Sequence, residues 1–498
     1  MTAPGGSDWR RLDPRMLAVT PLRQLVGFLP VILAVLVIGI EEDVGARVYA
    51  LLAGVLLVLI AGTLRWFTTH YRISSDRVEL RSGLLFRSAR SIPRDRIRTV
   101  DVTAGLVHRL FQLSVLKIGT GERTDSVESH ELTLDAIAAG EAERVRQRLL
   151  DSSGDGHEQE AIATAAVELA ALRWSWLRFA PLTVSSLVAL GAVTGAFAQL
   201  VNDVGAEAVD LGEVGKILTT APLWLGVTML AVFVLLVALV GSVLAFVEAW
   251  WGFRLVREPG GTLRIRRGLL TTRSVSLEER RLRGIAVIES PLLRVGRGAR
   301  TVAVATGLGG RRSHGRGALL PPAPRNEAHR VSSVVLAEVP SPTSASLRRH
   351  PRAALRRRLL RAVFPVLAAA IALWLAPVPD WGPWVTLSLL PVTGLFAVDA
   401  YRNLGHTVTR HYLVTRHGAG VRTTVALQRS GVIGWTVSQS LFQRRLGVVT
   451  VAATTAAGHG RYAIIDVITS DGLAVAQQAT PELLDPFVQH EVVMSGTH

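Results

Sequence analysis

The sequence predicts a multi-pass α-helical membrane protein carrying three cytoplasmic α+β domains, and three observations predict it. Almost half of the 498 residues are hydrophobic and the mean hydropathy is +0.34, a balance typical of membrane chains. Six long stretches contain no charged residue, and they come in pairs. The 55 Lys and Arg and the 39 Asp and Glu fall between those stretches, so the chain alternates between two solvents.

The six stretches are Gln24–Ile40, Val48–Leu64, Phe179–Asn202, Ile217–Val247, Ala362–Pro379 and Trp381–Val398. Crossing the hydrocarbon takes about 20 apolar residues, with a range of roughly 17–25. Short connections close each pair into a hairpin: Glu41–Arg47, Asp203–Lys216, and a Pro-rich turn at Pro377–Pro383. These loops hold two basic residues, Arg47 and Lys216, against eight acids. Basic residues mark the cytoplasmic side, so the loops face out and both termini and the large segments face in. Trp66-Phe67, Trp250-Trp251, Tyr401, Trp174 and Trp176 are read as headgroup-level aromatics. The first stretch lacks a small-residue cleavage site and is expected to be a retained helix rather than a signal peptide.

Between the hairpins the chain repeats itself. Gly83-Leu84-Leu85, Ser91-Ile92 and Arg96-Ile97 recur 185 residues later as Gly268-Leu269-Leu270, Ser276-Leu277 and Arg281-Leu282. A spacing of 335 places Leu427 on Ile92, Val432 on Ile97 and Arg444 on Arg109. Matching Tyr412 to Tyr71 leaves the third copy six residues short before Leu427, which implies a lost piece of hairpin. Val78–Arg81 and Leu263–Arg266 alternate as strands. Each copy ends on a helical stretch: Asp135 capping Ala136–Leu150, Asn326 capping Glu327–Ala337, and Pro481 before Glu482–Val492.

The order Tyr71, Gly83-Leu84-Leu85, Ile92-Pro93, Arg96-Ile97, Val100, Leu106, Arg109 resembles the bacterial pleckstrin-homology-like membrane-flanked domain family, in its long multi-domain form. The resemblance implies a bent strand sandwich or barrel closed by a C-terminal helix, with no activity established for the class. It further implies association with envelope protection against bacteriocins and a short one-domain relative as partner. The expected division is a cytoplasmic N-terminus 1–23, hairpins at 24–67, 179–250 and 362–401, and PH-like domains at 68–152, 251–340 and 402–498. A linker or interfacial helix at 153–178 and a basic juxtamembrane linker at 341–361 complete it.

No reactive constellation accompanies this pattern. Cysteine is absent, which removes disulfides and thiolate metal sites. There is no phosphate-binding loop of the Gly-Lys-Ser/Thr type, no His-Glu-x-x-His and no Gly-x-Ser-x-Gly. His406, His411, His417 and His130-Glu131 are read as surface residues, and Gly307–Arg312 as a solvated loop. Neither cofactor nor metal is expected. One feature points to a ligand: Arg348, Arg349, Arg352, Arg356, Arg357, Arg358 and Arg361 stand before the fifth helix on the cytoplasmic side. Each gains about 1 kcal/mol beside an anionic leaflet, so phospholipid headgroups are the expected partner. Without interleaved aromatics, nucleic acid is not. The expected function is a non-enzymatic scaffold in envelope maintenance or stress and bacteriocin protection. Its rivals are a transport component and an enzyme acting on envelope lipids or proteins.

Overall fold

The computed structural model describes residues 9–19, 62–119 (apart from 65, 75, 84–86 and 98), 132–151, 166–183, 223–307 and 317–484 (apart from 378), with isolated positions at 22, 49–60 and 191–199. The first apolar stretch, most of the second, nearly all of the third, the start of the fourth, the two acidic hairpin loops and residues 308–316 of the 307–324 insertion lie outside them.

Alternation makes the first segment a sandwich. β1 (Arg10–Arg11), β2 (His70–Ile73), β3 (Arg77–Ser82) and β4 (Ser88–Pro93) form one antiparallel sheet. In β3, Val78 is fully buried while Glu79 pairs with Arg72 on the outer face at 2.8 Å. A 3-10 turn at Arg94–Arg96 leads to β5 (Thr99–Ala104), helix α1 (Leu106–Leu110), β6 (Leu113–Gly119), β7 (Leu132–Ala138) and helix α2 (Ala139–Asp151). Asp135 lies inside β7 beside His108 (3.4 Å) and not at the start of the helix, which begins four residues later. Leu12, Met16 and Val19 join the same core, and Trp66 Nε1 donates to the Leu12 carbonyl at 2.9 Å. Within the N-terminus 1–23, residues 10–19 are therefore part of this sandwich.

The second segment runs β8 (Val167–Ala171), a 3-10 stretch Trp174–Leu182, α3 (Leu223–Trp250), β9 (Arg254–Glu258), β10 (Thr262–Arg267), β11 (Thr272–Glu278), β12 (Leu282–Glu289), α4 (Pro291–Val295), β13 (Gly298–Ala305), β14 (Ala318–Pro324) and α5 (Arg325–Leu336). Residues 167–171, expected in a linker or interfacial helix, are thus a strand on β9. Trp176, expected at the membrane surface, and Phe179, expected to open the third membrane stretch, are core residues only 1% exposed, and Phe179 packs where a Cβ on Gly298 would sit. Asn326 lies within α5 rather than before it.

The third segment runs α6 (Arg352–Leu375), α7 (Trp381–Leu387), α8 (Leu390–Arg402), β15 (Gly405–Val408), β16 (Tyr412–His417), β17 (Arg422–Gln428), β18 (Gly434–Ser438), α9 (Leu441–Arg445), β19 (Val448–Thr454), β20 (Arg461–Ile468) and α10 (Thr469–Ala479). The 335-residue spacing carries β2 onto β15 and β3 onto β16 without a gap. Tyr412 therefore answers to Arg77, and His406 to Tyr71. No hairpin has been lost; the apparent shortening came from aligning two tyrosines.

Backbone details recur at the same spacings. Gly83, Gly268 and Gly418 all have φ above +100°, and a Cβ would stand 2.0 Å from Thr271 O at Gly268 and 1.9 Å from Val421 O at Gly418. Only glycine turns these hairpins. Gln112, Arg297 and Gly447 share a left-handed φ, and the final sheet bulges at Ser114/Leu116, Ala299/Thr301 and Val449/Val451.

Contacts group the chain into two compact units, residues 1–171 with 248–279, and residues 172–247 with 280–498. In the first unit, β11 pairs with β5, so one seven-stranded sheet runs β7-β6-β5-β11-β10-β9-β8. In the second, β12 pairs with β17 in a six-stranded sheet β14-β13-β12-β17-β16-β15. Each junction is pinned by a buried ion network. Arg146, 1% exposed, reaches Glu143 at 2.8 Å and Glu258 at 3.1 Å in the first unit. Glu289 holds Arg422 at 2.6 Å in the second.

Candidate membrane-proximal site

Among the described residues three helical stretches are long and apolar enough to cross a membrane: Ala231–Trp250, Arg352–Leu375 and Trp381–Arg402. Most of their apolar side chains are exposed, Trp374 at 70%, Leu375 at 83% and Leu395 at 71%, although Val234, Ala238 and Phe246 form a buried stripe on the first. Such surface has no aqueous explanation, since helices apolar all round belong in lipid or a large core. The last stretch is broken at Ser388-Leu389, ahead of Pro391 in the first turn of α8.

The root of α6 is the most elaborate polar site in the second unit. The helix begins at Arg352, ten residues earlier than the apolar stretch, because Pro351 precedes it and arginine is a good helix former. Arg352, Arg356, Arg357, Arg358 and Arg361 are thus on the helix, not in a linker before it. Arg348 lies in the third sandwich itself: its N–H donates to the His406 carbonyl at 2.9 Å, in an isolated bridge. By the 335-residue spacing, that bridge occupies the place where β1 meets Tyr71. In the second and third segments, therefore, the apolar helices are inserted after the first extended element of the sandwich and do not precede the whole of it.

The seven arginines divide into two groups. Arg348, Arg349, Arg352, Arg356 and Arg361 are exposed. Arg357 and Arg358 turn inward to Asp466, whose side chain is 0% exposed. Arg357 and Gln443 Nε2 (2.9 Å) both donate to Asp466 Oδ1, while Arg358 approaches Oδ2 at 3.7 Å. Asp466 has φ +61° on β20, a conformation that Asp tolerates better than most residues. A carboxylate buried this deeply requires its cations; removing one partner of such a pair costs about 3–5 kcal/mol.

Two histidines complete the site. His350 Nδ1 lies 3.2 Å from the Asp466 carbonyl, which can only accept, so this nitrogen carries the proton. His350 Nε2 is then the acceptor for the His406 Nδ1–H at 3.0 Å. Burial pushes the His406 imidazole down to about 4, with His350 and Arg348 adding repulsion, and burial lowers His350 as well. Both rings are neutral at pH 7. Tyr401 donates to the His350 carbonyl at 3.1 Å, tying the end of α8 to the same place. His406, expected on the surface, is 3% exposed.

A second feature of this unit is a cavity of about 380 Å³ lined by Arg300, Arg461, His417 and His459, with no carboxylate on its wall. No group of three or more His, Cys, Asp or Glu suited to a metal exists among the described residues. Sequence reasoning missed Asp466 and His350. The signal for the first was a lone acid in the apolar run Tyr462-Ala463-Ile464-Ile465-Asp466-Val467-Ile468, which a strand can hold only if partnered.

Comparison with known proteins bears on this architecture. A family profile described as "Bacterial PH domain" matches residues 22–153 and 358–478, half of the chain. The chain belongs to the bacterial PH domain family. The matched stretches fall on the first and third sandwiches, and the second match begins at Arg358, inside the site just described. Outside the family profile, this bacterial PH domain protein is 26% identical over 422 residues to the UPF0699 transmembrane protein YdbT of Bacillus subtilis (strain 168), covering 82% of the chain and 84% of that protein. No solved structure matches it.

Proposed function

We propose that this protein is a non-enzymatic, multi-pass scaffold of the bacterial cytoplasmic membrane that presents three PH-like domains on the cytoplasmic side, in envelope maintenance or stress protection. One observation carries the reading. Arg357, Arg358 and Asp466 fasten the root of an apolar helix into the third sandwich, and five further arginines stay exposed around that root. The inward pair serves anchoring and the outward five are the surface offered to anionic phospholipid headgroups. The name of the Bacillus relative, a transmembrane protein, agrees with membrane residence. The candidate acid and bases of the site are committed: Asp466 to arginines, and the two imidazoles to each other and to a carbonyl. That commitment favours a structural part over a reactive one.

Full-length protein in nanodiscs of mixed neutral and anionic phospholipid tests the reading. Retained lipid should be enriched in the anionic species, and changing Arg348, Arg349 and Arg352 to Gln should cut that enrichment, each charge contributing up to about 1 kcal/mol. Equal retention by both proteins would leave the strip as an orientation signal alone. Solute flux or lipid hydrolysis by the protein in liposomes would overturn the scaffold assignment itself.

A further inference from the structure

Each junction between segments follows one rule. A strand opening the second half of one sandwich (β5, β12) pairs with the strand closing the first half of the next (β11, β17). The registers coincide: Val100 faces Ser276 and Val102 faces Ser274 in the first, Ile285 faces Ala426 and Val287 faces Thr424 in the second. Those are the same positions after the shifts of 185 and 335 are applied. Just beyond each junction, an arginine on the short helix after the first strand reaches the next segment's hairpin turn. Arg109 donates to the Leu269 carbonyl, and Arg294 to the Gly420 carbonyl at 3.1 Å.

The rule leaves one strand unused at each end. β18, the counterpart of β5 and β12, is the edge of its three-stranded sheet, and β4, the counterpart of β11 and β17, is the edge of its own among the described residues. Thr436, Val437 and Ser438 of β18 are exposed, whereas the matching Asp101 and the matching Ala286 and Val287 are buried. In β4 every residue but Ile92 is exposed, whereas four of the seven residues are buried in each of β11 and β17. Gly284 is kept small by the Ala426 carbonyl, 2.1 Å from where its Cβ would be; the corresponding Gly434 has nothing within 4 Å. Exposed Ile433, Leu441 and Phe442 flank the open edge. Nothing charged interrupts Gly434–Ser438, which is unusual for an edge left bare in water.

We propose that β18 of one copy pairs with β4 of a second copy, head to tail, in the register of the two internal junctions. Trp435 then faces Ser91, Val437 faces Ala89 and Ser438 faces Ser88, and Arg444 answers to Arg109 and Arg294. Pro93, which has no N–H to give, falls just past the paired stretch. The surface pairs two different patches, so it builds a closed ring or an open row within the membrane plane rather than a two-fold dimer. It does not depend on the lipid reading above.

The absence of native cysteine makes the test direct. Facing residues of an antiparallel pair have Cα atoms about 4.5–5.5 Å apart, within disulfide reach. Copies carrying Ala89→Cys and copies carrying Val437→Cys, with different tags, are co-reconstituted and oxidised. A disulfide-linked species of two chains is expected from the mixture, and none when Arg77→Cys on β3 replaces Ala89→Cys. Wild-type protein in detergent should show masses above one copy, and Val437→Glu should abolish them while keeping the wild-type melting temperature. A single-copy mass for the wild type would overturn the proposal. So would absence of the link between two variants that melt normally, a link within one chain of the double variant, or capture of a different polypeptide by Val437→Cys.

Discussion

Arg357, on the second turn of α6, donates to the carboxylate of Asp466, on the last strand of the third sandwich. One pair of side chains therefore joins a membrane-length helix to the soluble domain that follows it.

Asp466→Asn tests that joint. Asn keeps the left-handed backbone and the shape but removes the charge, leaving Arg357 and Arg358 half-buried beside a neutral amide. The expected loss is on the order of 3 kcal/mol, read as a lower melting temperature in detergent. A melting curve unchanged from wild type would show the pair to be dispensable.

Stability should fall in mild acid. The imidazole of His406 is held at about 4, below its ordinary 6.5, so the unfolded chain binds the proton first. The contribution is complete above pH 6.5 and is lost as pH falls from there toward 4, by up to about 3 kcal/mol. His406→Gln should flatten that part of the stability–pH profile measured by chemical unfolding.

Gly418→Ala should be costly, on the order of 3 kcal/mol, since a positive φ and a carbonyl at 1.9 Å both oppose a Cβ. Gly140→Ala, in the open on α2, should be neutral or stabilise by up to about 1 kcal/mol. Equal melting temperatures for the two variants would contradict the hairpin geometry.

Orientation can be read by single cysteines. Asp380→Cys, in the turn between α6 and α7, should react with an impermeant maleimide on intact cells, and Asp471→Cys on α10 only after lysis. The reverse pattern would invert the assignment of sides.

Much of this was legible because it is written in periodicity. Val78-Glu79-Leu80-Arg81 announces a strand, and the charge-free stretch from Ala362 announces a helix that needs lipid. The turn glycines Gly83 and Gly268 were legible through their spacing. Three things were not. Hydropathy cannot distinguish a headgroup tryptophan or a membrane-stretch phenylalanine from a core one, so Trp176 and Phe179 were misplaced. A short strand without alternation, such as Val167–Ala171, has no local signature and forms only because β9 offers an edge. The role of Asp466 depends on residues more than a hundred positions upstream, which no window of sequence connects.

The shared sheets set an order for synthesis. β9, β10 and β11 emerge when β5 already exists, so they can add to a finished edge at once. β12 has no such template. Its neighbour β17 lies beyond α6, α7 and α8, and at the usual pace of about 5–20 residues per second the ribosome needs roughly ten seconds to deliver it. During that interval the edge of β12 that β17 will cover stays open. Completion of the six-stranded sheet therefore waits until α6, α7 and α8 have been made.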